Sequence, residues 1–455
     1  MLYPMNIGVD NLCEFHGSQD KEGFRIILFR SVSEKPPYRM CIGIMILCTT
    51  ALNYCFRTFF PITLIAMIKK NNTEVLSNGT RITKELPDYG PRFKWPAFVE
   101  GQLLGAYFYG YTVGSLPGGP IAEFFGPYWT ITGCQYPALH GLIAAWAPPN
   151  EKGSFVACLM GNVLGAVITQ AAVGYLVARL EWYWGFYFTG LMAALFIVSW
   201  VILVSDQPNK SWFCSAKEVD FILEQQQGSV QSGRSKQPFL KMATSIPFII
   251  LVICQFGNLW SLYLLLTVVP KFMADVLKFD IENVGFLTST PSISRFVCGF
   301  IFGGIADFLL KRELLRKVVI RKGFIIFSHI IPGITLFLYI VVGDNVAVSV
   351  ALIIIVMAFN GASVVTSTGN PQDLAPNFAG TQIGIMNFFG SMPGFIIPAM
   401  VAEITKEKSE LPEWIIIFGI SGILYIISGV VFILFGSVEI QPWNQKQDAR
   451  PPSTT

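Results

Sequence analysis

Two arginines stand inside long apolar runs, and they are the residues best suited to chemistry. Arg57 lies eighteen residues after Arg39, and Arg295 lies twelve residues before Asp307. Twelve residues of helix rise about 18 Å, so each guanidinium sits deep in an apolar segment. An ionised side chain there costs about 2.5–3.5 kcal/mol on insertion scales. Such a charge normally faces a cavity or a partner. A guanidinium presents a planar fork of donors that matches a carboxylate or a phosphate. For Arg57 the reading is an anion ligand, against a buried ion pair with an acid on another helix. For Arg295 a substrate ligand and a structural charge in search of a partner are equally open. Asn258 and Tyr263, beside Trp260, offer donors to a polar substrate or knit helices together. Tyr107 and Tyr109 line a cavity or merely pack. His140 reads either as a residue that titrates near neutrality or as a merely satisfied or exposed histidine, whereas His329 reads as structural. Asn370 and Asp373 suit gating or structure better than substrate contact. The acids Glu123 and Asp307 end apolar runs; their role is to lock and release a conformation, not to bind substrate. No nucleophile–base constellation appears, which argues against an enzyme. The cysteines lie mostly in apolar runs without CxxC spacing, and three histidines stand far apart, so neither a disulfide framework nor a metal centre is expected. No cofactor is expected.

The elements that hold these residues follow from composition. Of 455 residues, 53% are apolar and only 13% charged, with a mean hydropathy of +0.53. A soluble domain carries about 25% charged residues, so a water-soluble globule is excluded, and 38 Phe and 10 Trp exclude disorder. A net charge of +3 is too weak to suggest nucleic acid. The partner implied is the lipid bilayer. A membrane helix needs about 20 apolar residues. Ten segments qualify: roughly 40–68, 98–120, 153–178, 183–204, 246–270, 283–306, 323–341, 346–369, 378–402 and 413–436. Helices are the only realistic spanning structure at this length. The fold class is therefore all-α, a polytopic membrane bundle of about ten spans plus one irregular stretch, 128–147, which holds Gly133, Pro137, His140 and Gly141.

Charge settles the parity of that stretch. With ten spans and a cytoplasmic N-terminus, the inner segments hold nineteen Lys and Arg against eleven outside. One further crossing at 128–147 would invert this to ten against twenty, which the positive-inside rule disfavours. The stretch is expected to dip and return, lie at the interface, or pack imperfectly. The outer loop 69–97 carries glycosylation sequons at Asn71 and Asn78; a third, at Asn209, falls in an inner loop and should be silent. The polar break 205–245 reads as a cytoplasmic linker. It divides the chain into a cytoplasmic tail (1–39), a first membrane half (40–204), a second half (246–436) and a second tail (437–455). Gly119-Pro120-Ile121-Ala122-Glu123-Phe124 recurs as Gly303-Gly304-Ile305-Ala306-Asp307-Phe308. Repeated halves mark secondary transporters, whose substrate site lies between them near the midplane.

These repeated residues resemble the cytoplasmic loop motif of the major facilitator superfamily. Further motifs are Phe108-Tyr109-Gly110-Tyr111 leading to Pro117-Gly118-Gly119, Tyr136-Pro137-Ala138-Leu139-His140, Trp146-Ala147-Pro148-Pro149-Asn150-Glu151, Asn258-Leu259-Trp260 with Tyr263, Asn370-Pro371-Gln372-Asp373-Leu374-Ala375-Pro376 and Gln441-Pro442-Trp443. Together they resemble the anion:cation symporters, which include sialin, the vesicular glutamate transporters and the sodium/phosphate cotransporters. The resemblance runs from about residue 40 to 445. It implies a secondary active transporter of small organic or inorganic anions (carboxylate or phosphate), coupled to H⁺ or Na⁺, with two halves alternating around the site. It ties Arg57 to the substrate anion, although the family's following Asn-Leu is Phe59-Phe60 here. His140 matches a family motif, while the family's histidine after Asn370 is Pro371. Where relatives place a glutamate before Gly-x-x-Tyr-Pro, this chain has Thr132. The implied residence is the plasma membrane or a lysosomal or vesicular membrane; Glu22-Gly23-Phe24-Arg25-Ile26-Ile27 faintly resembles an acidic dileucine sorting signal. One departure is large. The family has a full third and fourth span where this chain has only Gly126 to Gly133, so that roughly 35 to 40 family positions are missing and 128–147 is the tail of the fourth span. The alternative is therefore a transport-inactive shortened form with at most a regulatory or pairing role.

Overall fold

The computed structural model describes residues 37–68, 74–77, 80–83, 88–130, 135–148, 151, 155, 158–226, 239–342, 345–375 and 378–444. The sorting-signal-like segment, Asn71, Asn78, Thr132 and residues 227–238 of the linker lie outside the described residues. The first part contains α1 (Tyr38–Met67), a small antiparallel hairpin of β1 (Glu74–Ser77) and β2 (Thr80–Thr83), α2 (Ala97–Phe125), α3 (Pro127–Thr130), α4 (Gln135–Trp146), α5 (Gly161–Arg179) and α6 (Tyr183–Leu203). The linker carries α7 (Ala216–Gln226). Then follow α8 (Ile246–Asp275), α9 (Ile281–Lys311), α10 (Lys317–Val341), α11 (Val346–Val364), α12 (Thr381–Ile404) and α13 (Leu411–Phe435). Among the described residues nine helices are long and apolar enough to cross a membrane: α1, α5, α6 and α8 to α13. With the 29-residue α2 they correspond to the ten expected spans. Among the described residues the hairpin, in the loop 69–97, and an isolated bridge between Ile68 and Phe93 depart from an all-helical chain.

Local chemistry fixes the helix ends. The Asp280 carboxylate accepts the Asn283 N–H at the start of α9, and the Asn345 side chain accepts the Val348 N–H at the start of α11. Each satisfies a donor that has no acceptor within its own helix. Glu410 and Glu413 form a reciprocal capping box on α13. Wide π-type turns at Leu264–Val268 and Ile326–Ile330 each precede a proline, Pro270 and Pro332. Proline removes a helix donor and its ring crowds the preceding turn, so the helix widens there instead of breaking.

The end of the bundle bearing the hairpin is the loop end; the opposite end, where α6 runs into the linker, is the linker end. The helices before and after the linker share buried cores toward the loop end. One contains Tyr54, Phe108 and Ala166 with Leu259, Trp260, Tyr263 and Phe272. Another joins Ile62, Ala66, Val173 and Val177 to Ile281. Where α5 crosses α9, a Cβ on Gly174 would lie 2.8 Å from the Gly285 Cα, so only glycine permits this approach. Toward the linker end the buried clusters separate. Ile42, Leu139, Trp146 and Trp200 form a core with Ile222 of α7, while Phe248, Leu374, Phe378 and Trp443 form another. Across the seam between the halves α2 still meets α12, where the Thr112 and Ser391 hydroxyls lie 2.6 Å apart.

The described residues at the two limits of the stretch 128–147 lie at the same end of the bundle. The Tyr128 N–H donates to the Asp206 carboxylate at 2.8 Å, and the Trp146 indole donates to the Ser205 carbonyl at 2.9 Å. The other end of α4 reaches inward, where Gln135 meets Asn53 and the Thr49 carbonyl, midway along α1. With 12 residues α4 is about 18 Å long, short of the ~30 Å of hydrocarbon. It is a half-helix, the dip-and-return outcome among the expected ones.

Candidate functional site

Arg57 sits where α1, α2 and α8 meet, with only 4% of its surface exposed. Its guanidinium carbon lies 4.4 Å from the ring centroid of Tyr111, 4.9 Å from Tyr54, 5.2 Å from Tyr107 and 5.7 Å from both Phe108 and Tyr263. Nη1 donates to the Tyr263 hydroxyl at 3.2 Å. Nε and Nη2 are buried and have no hydrogen-bond partner among the described residues, and no ion pair to Arg57 occurs among them. Ring faces attract a cation through their quadrupoles, by about 2 kcal/mol or more when desolvated. They hold the charge in place without neutralising it, which leaves an open electrostatic demand for an anion. Among the described residues no acid forms the buried ion pair that is the rival reading of Arg57.

One turn below, the Asn53 amide donates to the Tyr107 hydroxyl at 2.8 Å and contacts Gln135 of α4. Tyr109 turns away: it is exposed, donates to Gln102 at 2.7 Å and stacks on Phe395.

Across α8, Arg295 is half-buried and its Nε donates to the Asn360 carbonyl oxygen at 2.7 Å. The Asn360 amide donates in turn to Asn258 at 2.8 Å and to the Tyr425 hydroxyl at 2.5 Å. Asn258 thus serves this neutral relay. His329 is fully buried beneath it, bonded to Ser328 Oγ at 2.7 Å and donating to the Cys254 carbonyl at 3.1 Å, with its ring 5.4 Å from Tyr425.

The remaining candidates lie at the linker end. Asp373 is paired with Arg321 at 2.8 Å and Lys317 at 3.2 Å, within the second half. Asn370 is buried and donates to the Ser437 carbonyl. Asp307 is exposed and makes no ion pair among the described residues. Glu123 lies on α2 and His140 on α4; their side chains are outside the described set. At the loop end Lys271 of α8 pairs with Glu100 of α2 at 2.7 Å, across the seam between halves. In the linker, burial and the neighbouring Glu218 carboxylate push the Cys214 thiol up to about 12.

The helical fold is similar to that of known transporters. The family model described as Major Facilitator Superfamily matches residues 130–398. The chain belongs to that superfamily. It is 27% identical to sialin of Ovis aries and 26% to sialin of Homo sapiens, in each case over 86% of this chain and 87% of the relative. It is 27% identical to vesicular glutamate transporter 2 of Homo sapiens, over 90% of this chain and 76% of that one. Among solved structures it resembles the D-xylose-proton symporter, with a TM-score of 0.57, 13% identity and coverage of 88% of this chain and 98% of that one. The inward-open xylose transporter XylE from E. coli gives the same TM-score at 11% identity, over 88% and 96%. These two likenesses are of fold. The protein is a multi-pass membrane protein of a transporter superfamily.

Sequence reasoning found Arg57, Tyr107 and Tyr263 but missed Asn53, Tyr54, Tyr111 and Gln135. Tyr111 stands in the Phe108-Tyr109-Gly110-Tyr111 motif, whereas Tyr54 carries no sequence signal beyond being aromatic in an apolar run. Asn53 has one: it stands four residues before Arg57, on the same helical face.

Proposed function

We propose that this chain is a secondary active transporter of small organic or inorganic anions, with Arg57 as the group that meets the anion. The observation that carries the reading is a buried guanidinium held by five aromatic rings and by no carboxylate among the described residues. An anion supplies the missing charge and takes the donors of Nε and Nη2. The sialin and vesicular glutamate transporter relatives support an anionic substrate, carboxylate or phosphate. The match to the superfamily model and the buried core that both halves share around Arg57 support alternating access, with the halves rocking about Arg57. An H⁺ or Na⁺ gradient is the driving force in this reading. The test is reconstitution of the purified chain in proteoliposomes and measurement of labelled phosphate and carboxylate accumulation under imposed H⁺ or Na⁺ gradients. Accumulation that collapses with one gradient is expected.

One observation favours a second reading, a transport-inactive form that pairs with another chain. Ala106, Gly110, Val113 and Pro117 form an exposed file along α2, and a Cβ on Gly110 would meet nothing within 4 Å. Spans missing relative to the family would expose such a face. Pure protein that carries no anion under any gradient supports this alternative.

A further inference from the structure

Gln170 of α5 is fully buried, and among the described residues neither its amide nitrogen nor its carbonyl oxygen has a hydrogen-bond partner. The other incompletely partnered Asn and Gln side chains there, Asn53, Asn162, Gln255, Asn370 and Gln382, each lack a partner at one atom only. A buried polar group without a partner is costly, so an amide open at both ends is a place where something polar is received.

Two observations put Gln170 at the site of Arg57. First, α5 runs in step with α1: Gly161 packs against Leu47, and Gly165, four residues on, packs against Ala51, also four residues on. Both helices rise by the same step per residue, so five residues further along Gln170 comes level with Phe56, the neighbour of Arg57. Second, Ala166 stands one turn before Gln170 on the same helical face. It lies in the buried core with Tyr54, Phe108 and Tyr263, three of the five rings around Arg57. From the other half, α9 closes in. A Cβ on Gly285 would lie 2.5 Å from the Gln170 backbone carbonyl oxygen, and the Ser289 hydroxyl donates to the Val167 carbonyl at 3.2 Å. The hydroxyls on this part of α9 are already engaged: Thr288 donates to the Val284 carbonyl at 2.7 Å and Ser289 also to that of Gly285 at 3.0 Å. Gln170 therefore stands on the seam between the halves, at the depth of Arg57, with its amide unspent.

We propose that Gln170 is a second, uncharged contact of the Arg57 site and hydrogen-bonds a hydroxyl group on the carried anion. A primary amide both donates and accepts, and so does a hydroxyl, whereas an unsubstituted carboxylate offers acceptors alone. The proposal rests on the anion-carrier reading above and narrows its substrate to the anion of an organic hydroxy acid. Arg57 answers the charge, and Gln170 selects for the hydroxyl.

The experiment titrates butyrate and its 2-, 3- and 4-hydroxy derivatives separately into the purified full chain in detergent, with calorimetric detection. Gln170→Met keeps the length of the side chain and removes its hydrogen bonds; Arg57→Gln removes the charge. The unmodified chain is expected to bind at least one hydroxybutyrate about tenfold or more tighter than butyrate, because a site built to hydrogen-bond a hydroxyl rejects the analogue that lacks it. In Gln170→Met that ratio should fall to about one, and in Arg57→Gln binding of all four should be lost. A preference that survives in Gln170→Met, or no preference in the unmodified chain, overturns the role of Gln170 and leaves the anion reading standing if Arg57→Gln still abolishes binding. Binding unchanged in Arg57→Gln, or absent from the unmodified chain, overturns both. The melting temperature without ligand gives a second readout. It should be equal or higher in Gln170→Met, which removes an unanswered amide; a clear fall would mean that the amide is already satisfied within the protein, and would contradict the proposal.

Discussion

Arg39 and Arg57 are the same side chain on the same helix, five turns apart, and their surroundings are opposite. Arg39 is fully buried and saturated. Its Nε and Nη2 donate to the two carboxylate oxygens of Glu151 at 2.7 and 3.0 Å, its Nη1 donates to Glu218 at 3.2 Å, and Glu218 also accepts the backbone N–H groups of Tyr38 and Arg39. This triad ties the start of α1 to residue 151 and to the linker helix α7. Arg57 is nearly as buried, yet it has one hydroxyl partner and five rings. A buried guanidinium with its acids is a structural joint, because the charge is already answered. A buried guanidinium surrounded by π faces is held but not answered, and that is the state a binding site for an anion requires.

The contrast breaks most readily at Arg39. Arg39→Met strands two carboxylates, and removing one partner of a buried pair costs about 3–5 kcal/mol. We expect loss of the monodisperse peak in detergent chromatography and a large drop in melting temperature; a variant of near-native stability would mean the triad is not a joint. Arg57→Met should move the other way, because it removes a desolvated charge that no acid compensates. Its melting temperature should be unchanged or higher, by about 1 kcal/mol or more in stability terms, and a fall as large as that of Arg39→Met would place Arg57 among the structural arginines. The Arg39 region has a chemical reporter in Cys214, whose thiol is pushed up to about 12. Only the thiolate reacts, so maleimide labelling of Cys214, followed by peptide mapping, should rise about tenfold per pH unit from pH 7 to 10 without levelling. A plateau near pH 8.5 would contradict the described packing against Glu218. The smallest effect is expected at Arg295, half-buried and bonded to a neutral amide. Arg295→Gln should cost about 1 kcal/mol or less, one hydrogen bond's worth; a loss comparable to that of Arg39→Met would show a charge partner there.

Much of this was legible in the sequence, and for definite reasons. Apolar length alone located the ten spans, because a bilayer imposes one thickness on every helix. Lys and Arg bias fixed the parity of 128–147, which the pairing of Tyr128 with Asp206 and of Trp146 with Ser205 explains. The shape of that stretch was not legible, because the contact of Gln135 with Asn53 is tertiary and no local propensity encodes it. Arg57 announced itself as a lone charge in an apolar run. Its cage was legible only in part: Tyr107 and Tyr263 were candidates, but nothing in sequence separates Tyr111, which faces Arg57, from Tyr109 in the same motif, which packs outward on Phe395. Arg39 and Arg57 could be ranked only once their partners were visible: Glu151 and Glu218 lie more than a hundred residues from Arg39. The hairpin 74–83 in the loop also went unanticipated.

The most direct measurement compares anion accumulation by proteoliposomes that contain equal amounts of the unmodified chain and of Arg57→Gln, with melting temperature recorded on the same preparations. The account predicts accumulation in the first and its loss, by about a hundredfold or more, in the second, at equal or higher melting temperature. Equal accumulation by the two proteins would contradict it.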